Sequence, residues 1–487
     1  MSESLKTQAI SGILWSAIQK FGMSILSFIS NIVLARLLSP DDFGCIGLLA
    51  IFIALSNALI YGGFLSALIQ KKNADNTDFS TVFYWNLIVS FILYILLYLC
   101  APAISKYYNL DLLCNVLRFQ SLILIVNGLS AVQSTLLRKT FHFKKLAQIN
   151  ILSSVISIIV AIILAYQGFG VWSLVIQQIV YSFVNTVILW FTSNWRPSLQ
   201  FSKKSFKELF SYGSFLLLSD LINSLCDNIQ GLIIGRKFST STMGYYTQAK
   251  RLEEVPTQSI SQLVAQVTFP IYAKIQDERE KLHYAVKSTL SLMNFINFPL
   301  MIILIVIARP LFILLYSEVW ISSIPYFQIL CIAGLVNCLQ SVNYQVVSAS
   351  GRSKALFGWN FVKRGSSLIL MLVGILWGVE GVLWGMVVSF YIIFIINAKL
   401  AYESTSYSIM DQIIDSLPSF GLATIAGVIT YCFHTTFDNI YVLIVFQIIA
   451  YLLIYITLSF IFKIKELAIV KGLAMLYLSK LFKSKNK

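Results

Sequence analysis

Charged residues are the scarcest class in this chain. They make up 12% of it, while 57% is hydrophobic. A soluble globular protein carries about 25% charge, so water is excluded as the solvent of most of this sequence. Other scarcities narrow the field. The three histidines, His142, His283 and His434, are scattered and form no HExxH pair, which argues against a shared metal site. The seven cysteines, at 45, 100, 114, 226, 331, 338 and 432, contain no CxxC spacing. They read as small buried hydrophobes, not as a disulfide frame. No GxxxxGK followed by Ser or Thr occurs, which excludes a self-contained nucleotide motor. No GxSxG nucleophile elbow occurs either. Nothing here calls for a cofactor or a metal.

What is there is a succession of long apolar runs. About 14 of them are long enough to cross a bilayer. They fall at 10–35, 43–69, 81–104, 112–137, 147–167, 169–192, 211–235, 244–270, 287–308, 325–348, 356–377, 379–401, 416–433 and 440–462. Lipid satisfies no backbone hydrogen bond, so runs of this length are expected as helices. The expected fold is an all-α polytopic membrane protein. The first run is too long for the apolar core of a signal peptide and is expected to remain in place. Trp15, Trp172, Trp320 and Trp384 near run ends are expected as interfacial anchors.

The net charge of +15 suggests nucleic acid, but no soluble basic domain exists to bind it. Lys and Arg concentrate instead in every second loop, most visibly in 138–146, 193–210 and 271–286. Cytoplasmic loops carry such an excess, so both termini are expected in the cytoplasm. The tail, 463–487, alternates Lys with large apolar residues and is expected to lie on the inner leaflet.

The chain also repeats itself. Arg36, Ser39 and Gly44 in LARLLSPDDFG recur as Arg236, Ser239 and Gly244 in IGRKFSTSTMG, 200 places later. Arg309-Pro310 echoes Ala101-Pro102, and Lys354 and Asn360 echo Lys144 and Asn150. Internal repeats of this kind mark transporters built around a central site. Six runs per half is even, so the pseudo-twofold is expected along the membrane normal. The expected division is a lobe at 1–192, a loop at 193–210, a second lobe at 211–401, two accessory helices at 402–462 and the tail.

Charges inside the runs are the candidate functional residues, because a charge at membrane depth normally faces protein or water and marks a pathway. They include Lys20, Arg118, Asp220, Asp227, Lys250, Arg251, Lys363 and Arg364, with Glu253 and Glu254 clustered beside Lys250 and Arg251. Lys250 and Glu254 are also spaced to neutralise each other along one helix. Lys363 and Arg364 are neighbours, so helix geometry lets at most one point squarely at a cavity. The 200-place offset makes Lys20 and Asp220 equivalent. They are candidates for an ion pair between lobes, or for separate local pairings.

LARLLSPDDFG (34–44), LIQKKNADNTDFSTVFYWNL (68–87), APAISKYYN (101–109), GFGVWSLV (168–175), WRPSLQFSKKSFKELFSYG (195–213) and the run from Ile233 to Pro256 resemble the polysaccharide-exporting flippases. Within them they are similar to the branch containing the colanic acid and teichuronic acid exporters, of the multidrug/oligosaccharidyl-lipid/polysaccharide exporter superfamily. The resemblance implies two six-helix lobes, a V-shaped cavity and alternating access. It implies a substrate of undecaprenyl-diphosphate bearing an oligosaccharide, moved from the cytoplasmic to the periplasmic leaflet, and polymerase and chain-length machinery as partners. It supplies no catalytic signature, so the site residues rest on the charge argument alone. Two rival readings remain at this point. One is a membrane-embedded polymerase or ligase, for which the short external loops leave little room. The other is an ion-coupled multidrug exporter with Asp220 and Asp227 as its cation site.

Overall fold

The computed structural model describes residues 3–472 and 475, without the side chains of residues 3–10, 13, 263, 353, 354 and 357. The expected inner-leaflet tail therefore lies largely outside the described residues, and its described part is helical over 465–472. The echo at Lys354 falls on an undescribed side chain. No strand occurs among the described residues. The chain forms two compact units, Met1–Thr247 and Gln248–Lys487.

The first unit holds α1 (Glu3–Leu37), α2 (Pro40–Tyr61), α3 (Phe64–Gln70), α4 (Asn76–Tyr108), α5 (Leu112–Gln120), α6 (Leu122–Lys139), α7 (Phe143–Tyr166), α8 (Val171–Thr192), α9 (Lys203–Lys237) and the start of α10 (Thr240–Lys274). α1 packs on α7, α7 on α8, α4 on α6, and α9 lies along α2. The second unit continues with α11 (Arg279–Val306), α12 (Ala308–Leu315), α13 (Ile324–Ala349), α14 (Ser353–Gly374), α15 (Gly378–Thr405), α16 (Ile409–Tyr431) and α17 (Ile440–Ile461). There α13 packs on α15 and α11, α14 on α15, and α16 on both α11 and α17.

Twelve stretches of the described residues are long and apolar enough to cross a membrane. One of them, Gly358–Thr405, contains most of α14 and all of α15. α10 is not among the twelve; Lys250, Arg251, Glu253 and Glu254 crowd its middle. The chain is thus an all-α, multi-pass membrane protein.

Helix corners explain why the repeated motif has the residues it has. At the α1–α2 corner the Ser39 hydroxyl accepts the Asp42 N–H at 3.3 Å, and the Asp42 carboxylate accepts the Ser39 N–H at 2.9 Å. This reciprocal cap satisfies donors that the first turn of α2 leaves open, and Pro40 opens that turn without wasting an N–H. At the α9–α10 corner, Ser239 accepts the Thr242 N–H at 3.2 Å in the same way. The two corners touch. A Cβ on Gly44 would fall 2.0 Å from the Thr240 carbonyl oxygen, and a Cβ on Gly244 would fall 1.9 Å from that of Pro40. Only glycine permits this approach.

A third corner ties α9 to the turn between α3 and α4. Lys71 Nζ lies 3.0 Å from both Asp78 and Glu208. Asp78 is 1% exposed. Lys139 Nζ donates to the carbonyls of Leu68, at 2.7 Å, and Lys71. Around this polar knot Phe64 packs on Trp85, Phe206 and Phe210, and Phe83 on Trp190 and Trp195. Gly63 makes the turn into α3 with φ +61°.

Two expectations change. Trp320 is not an interfacial anchor: it is fully buried beside Tyr316. The cysteines are all free, but only Cys45, Cys331 and Cys338 are buried, while Cys100 and Cys432 are exposed.

Candidate functional site

In the first unit a cavity of about 460 Å³ opens between α1, α7 and the end of α6. Ser16, Gln19, Lys20, Met23 and Ser24 face it from α1, at the three- and four-residue spacing that puts side chains on one helical stripe. Arg138 reaches it from the last turn of α6, and Asn150 from α7. Asn150 is held in place. Its Oδ1 accepts from Tyr181 Oη at 3.0 Å and Asn185 Nδ2 at 2.9 Å, both on α8, and its Nδ2 donates to the Leu146 carbonyl at 2.8 Å. Next to the lining residues Ser16 and Phe143, the Lys144 ammonium lies 5.4 Å from the Trp15 ring centre. Among the described residues neither Lys20 nor Arg138 pairs with a carboxylate. Two unneutralised cations on a concave surface lined by amides and hydroxyls make the cavity chemically suited to an anion.

The sequence pointed to Lys20 but not to Arg138, which it assigned to a basic loop. The available signal was register. Arg138 and Lys139 end α6, and because Lys139 turns toward carbonyl oxygens at Leu68 and Lys71, its neighbour faces another way.

The remaining candidates are dispersed. Lys20 and Asp220 are not joined by an ion pair. Asp220 lies on α9 against the end of α2, where a Cβ on Gly62 would meet its carboxylate at 3.4 Å. Asp227 is exposed two turns further along α9. Arg118 stacks on the Tyr98 ring at 4.3 Å and donates to the Tyr98 carbonyl at 3.4 Å.

In the second unit Lys250 faces Glu254 at 3.8 Å, the self-neutralising pair that the spacing allowed, and Arg251 is exposed. Lys363 is 4% exposed, and its Nζ donates to Asn397 Oδ1 at 2.5 Å. Asn397 in turn faces Gln340, which donates to Asn337 at 2.7 Å. Arg364, one step round the helix, is half-buried.

The model of the family described as Polysaccharide biosynthesis protein matches residues 33–325, well over half of the chain. The chain belongs to that family. Among the polysaccharide biosynthesis proteins it is 26% identical to the teichuronic acid biosynthesis protein TuaB of Bacillus subtilis (strain 168), over 76% of each chain. It is 26% identical to the lipopolysaccharide biosynthesis protein WzxC of Escherichia coli (strain K12), over 82% of this chain and 81% of that one. It is also 26% identical to the succinoglycan biosynthesis transport protein ExoT of Rhizobium meliloti (strain 1021), over 76% of this chain and 75% of that one.

The fold is similar to that of the lipid II flippase MurJ in an inward closed conformation, with a TM-score of 0.75 at 18% identity over 92% of this chain and 98% of that one. An inward-facing multidrug resistance MATE transporter matches with a TM-score of 0.60 at 18% identity, over 83% of this chain and 98% of that one. A transport protein is thus among the relatives at 26% identity, and a flippase and a multidrug transporter are among the proteins of similar fold.

Proposed function

We propose that this protein moves undecaprenyl-diphosphate-linked oligosaccharide repeat units from the cytoplasmic to the periplasmic leaflet of a bacterial inner membrane, for assembly of a surface polysaccharide. It works by alternating access between two six-helix lobes, 1–192 and 211–401, with both termini cytoplasmic and 402–462 as accessory helices. A polymerase and chain-length machinery act after it.

The observation that carries this reading is the pair Lys20 and Arg138 on the cavity walled by α1, α6 and α7. A lipid diphosphate presents acceptor oxygens and negative charge. Arginine offers a planar fork of donors and lysine a point charge, and together they suit such a group. Ser16, Gln19, Ser24 and Asn150 supply the neutral donors and acceptors that a sugar needs. A volume of about 460 Å³ suits a headgroup and leaves the polyprenyl chain in lipid. Lys250, Arg251, Lys363 and Arg364 are candidates for the same anion in the second unit, with Arg118, Asp220 and Asp227 for gating. Translocation makes and breaks no covalent bond.

The direct test is binding of undecaprenyl diphosphate to the full-length protein in nanodiscs. Removing one charge-assisted contact costs about 1.5–3 kcal/mol, so Lys20→Ala and Arg138→Ala should each weaken binding roughly tenfold or more. Undiminished binding in both variants refutes the site.

A further inference from the structure

Glu253, on α10, is 8% exposed. Its carboxylate receives one hydrogen bond, from Thr257 Oγ1 to Oε1 at 2.6 Å. It takes part in no ion pair among the described residues. Gly334 on α13 lies against it: a Cβ there would fall 2.9 Å from Glu253 Oε1 and 2.7 Å from Met301 Sδ. Asn297, on α11, is fully buried beside it but spends its amide on the carbonyls of Gly334 and Leu335, at 3.1 and 3.0 Å. It has no donor left for the carboxylate.

The charged and titratable groups around Glu253 are few. On its own helix, Lys250 pairs with Glu254 at 3.8 Å and also acts through space on Glu253, its attraction opposed by repulsion from Glu254, while Arg251 interacts with Tyr316 and Glu254. On α13 the titratable neighbours are Cys331 and Cys338, and Cys338 donates to Asn297 Oδ1 at 3.4 Å. α11 contributes Asn297 and Met301, neither of which titrates. Gly334 lies ten residues into α13, about 15 Å from the start of that helix, inside a stretch apolar enough to span. A carboxylate anion here has one hydroxyl to replace its hydration, far less than burial of a charge requires. A hard metal cation finds no better terms, because the neighbouring groups are thiols and a thioether where it wants oxygens.

We propose that Glu253 is a proton-binding site: its carboxyl is protonated in this conformation and gives the proton up when the contact between α10 and α13 opens to water. The second step rests on the transport reading, which supplies the change of conformation. Thr257 holds Oε1, which leaves Oε2 to carry the proton, and Gly334 lets α13 close over the acid without a side chain in the way.

The test is infrared difference spectroscopy between acidic and alkaline buffer, on the full-length protein in nanodiscs. The wild type is expected to show a protonated-carboxyl band that bleaches in alkali. Glu253→Gln should lack it, and Glu253→Asp should shift it. An unchanged band in Glu253→Gln overturns the assignment, whatever the substrate. Export in cells is read separately. Glu253→Gln at normal membrane abundance is expected to lose export, and full export there overturns the role in transport. A deletion strain that keeps its surface polysaccharide contradicts the flippase reading and leaves the infrared result standing.

Discussion

Ser241 Oγ donates a 2.7 Å hydrogen bond to Asp41 Oδ1, two residues that stand 200 places apart in the chain. The flanking contacts are reciprocal: Gly44 lies against Thr240, and Gly244 against Pro40. A motif repeated in sequence here packs against its own copy.

Substitution at this contact should therefore be costly and symmetric. Alanine at Gly44 or Gly244 puts a Cβ about 2 Å from a carbonyl oxygen, and overpacking of this kind typically costs about 1–3 kcal/mol. Gly44→Ala and Gly244→Ala should lower the melting temperature by similar amounts. The double variant should cost less than the sum, because the parting of the two corners that relieves one clash also relieves the other. Ser241→Ala should cost only about 1 kcal/mol. Thermal unfolding in detergent checks all four.

Lys71 is the second point of attack. Lys71→Ala removes the cation from Asp78, which is 1% exposed, and should cost about 3 kcal/mol. A pH effect follows. Burial works against the Lys71 charge, but hydrogen bonds and attraction from Asp78 and Glu208 outweigh it and raise the ammonium above its usual value. A raised lysine contributes its stability in full below the unfolded lysine value. It loses that contribution as pH climbs through the folded value, so the effect falls at the alkaline end. Melting temperature should drop there more steeply in the wild type than in Lys71→Met.

Lys20 and Asp220 distinguish a binding site from a gate. Lys20 faces the cavity and Asp220 lies by Gly62, so a charge swap, Lys20→Asp with Asp220→Lys, should rescue none of the export lost in Lys20→Asp. Lys20→Arg should retain most of it. Recovery in the swap, measured as surface polysaccharide per cell, would make the two a gating pair instead.

The helices were legible because each long apolar run has one solution in lipid, and the α1–α2 and α9–α10 corners were legible because Ser39 and Ser239 cap them with the same chemistry. The site was legible only in part. Lys20 stood out as a lone cation in an apolar run, whereas Arg138 sat among topogenic charges, and only the packing of α6 separates it from Lys139. Glu253 and Glu254 are neighbours in a single polar stretch. Which of them faces Lys250 and which turns toward Gly334 depends on the approach of α13, and sequence does not encode that locally. Trp320 failed as an anchor for a related reason: its burial comes from the turn after α12, which folds it beside Tyr316.

The most direct measurement is where the lipid-linked substrate waits when the protein is missing. In a deletion strain, lipid-linked repeat units should accumulate in the cytoplasmic leaflet, out of reach of a membrane-impermeant glycan label applied to spheroplasts, while the surface polysaccharide disappears. Repeat units that reach the outer leaflet and take the label in that strain would contradict the flippase reading.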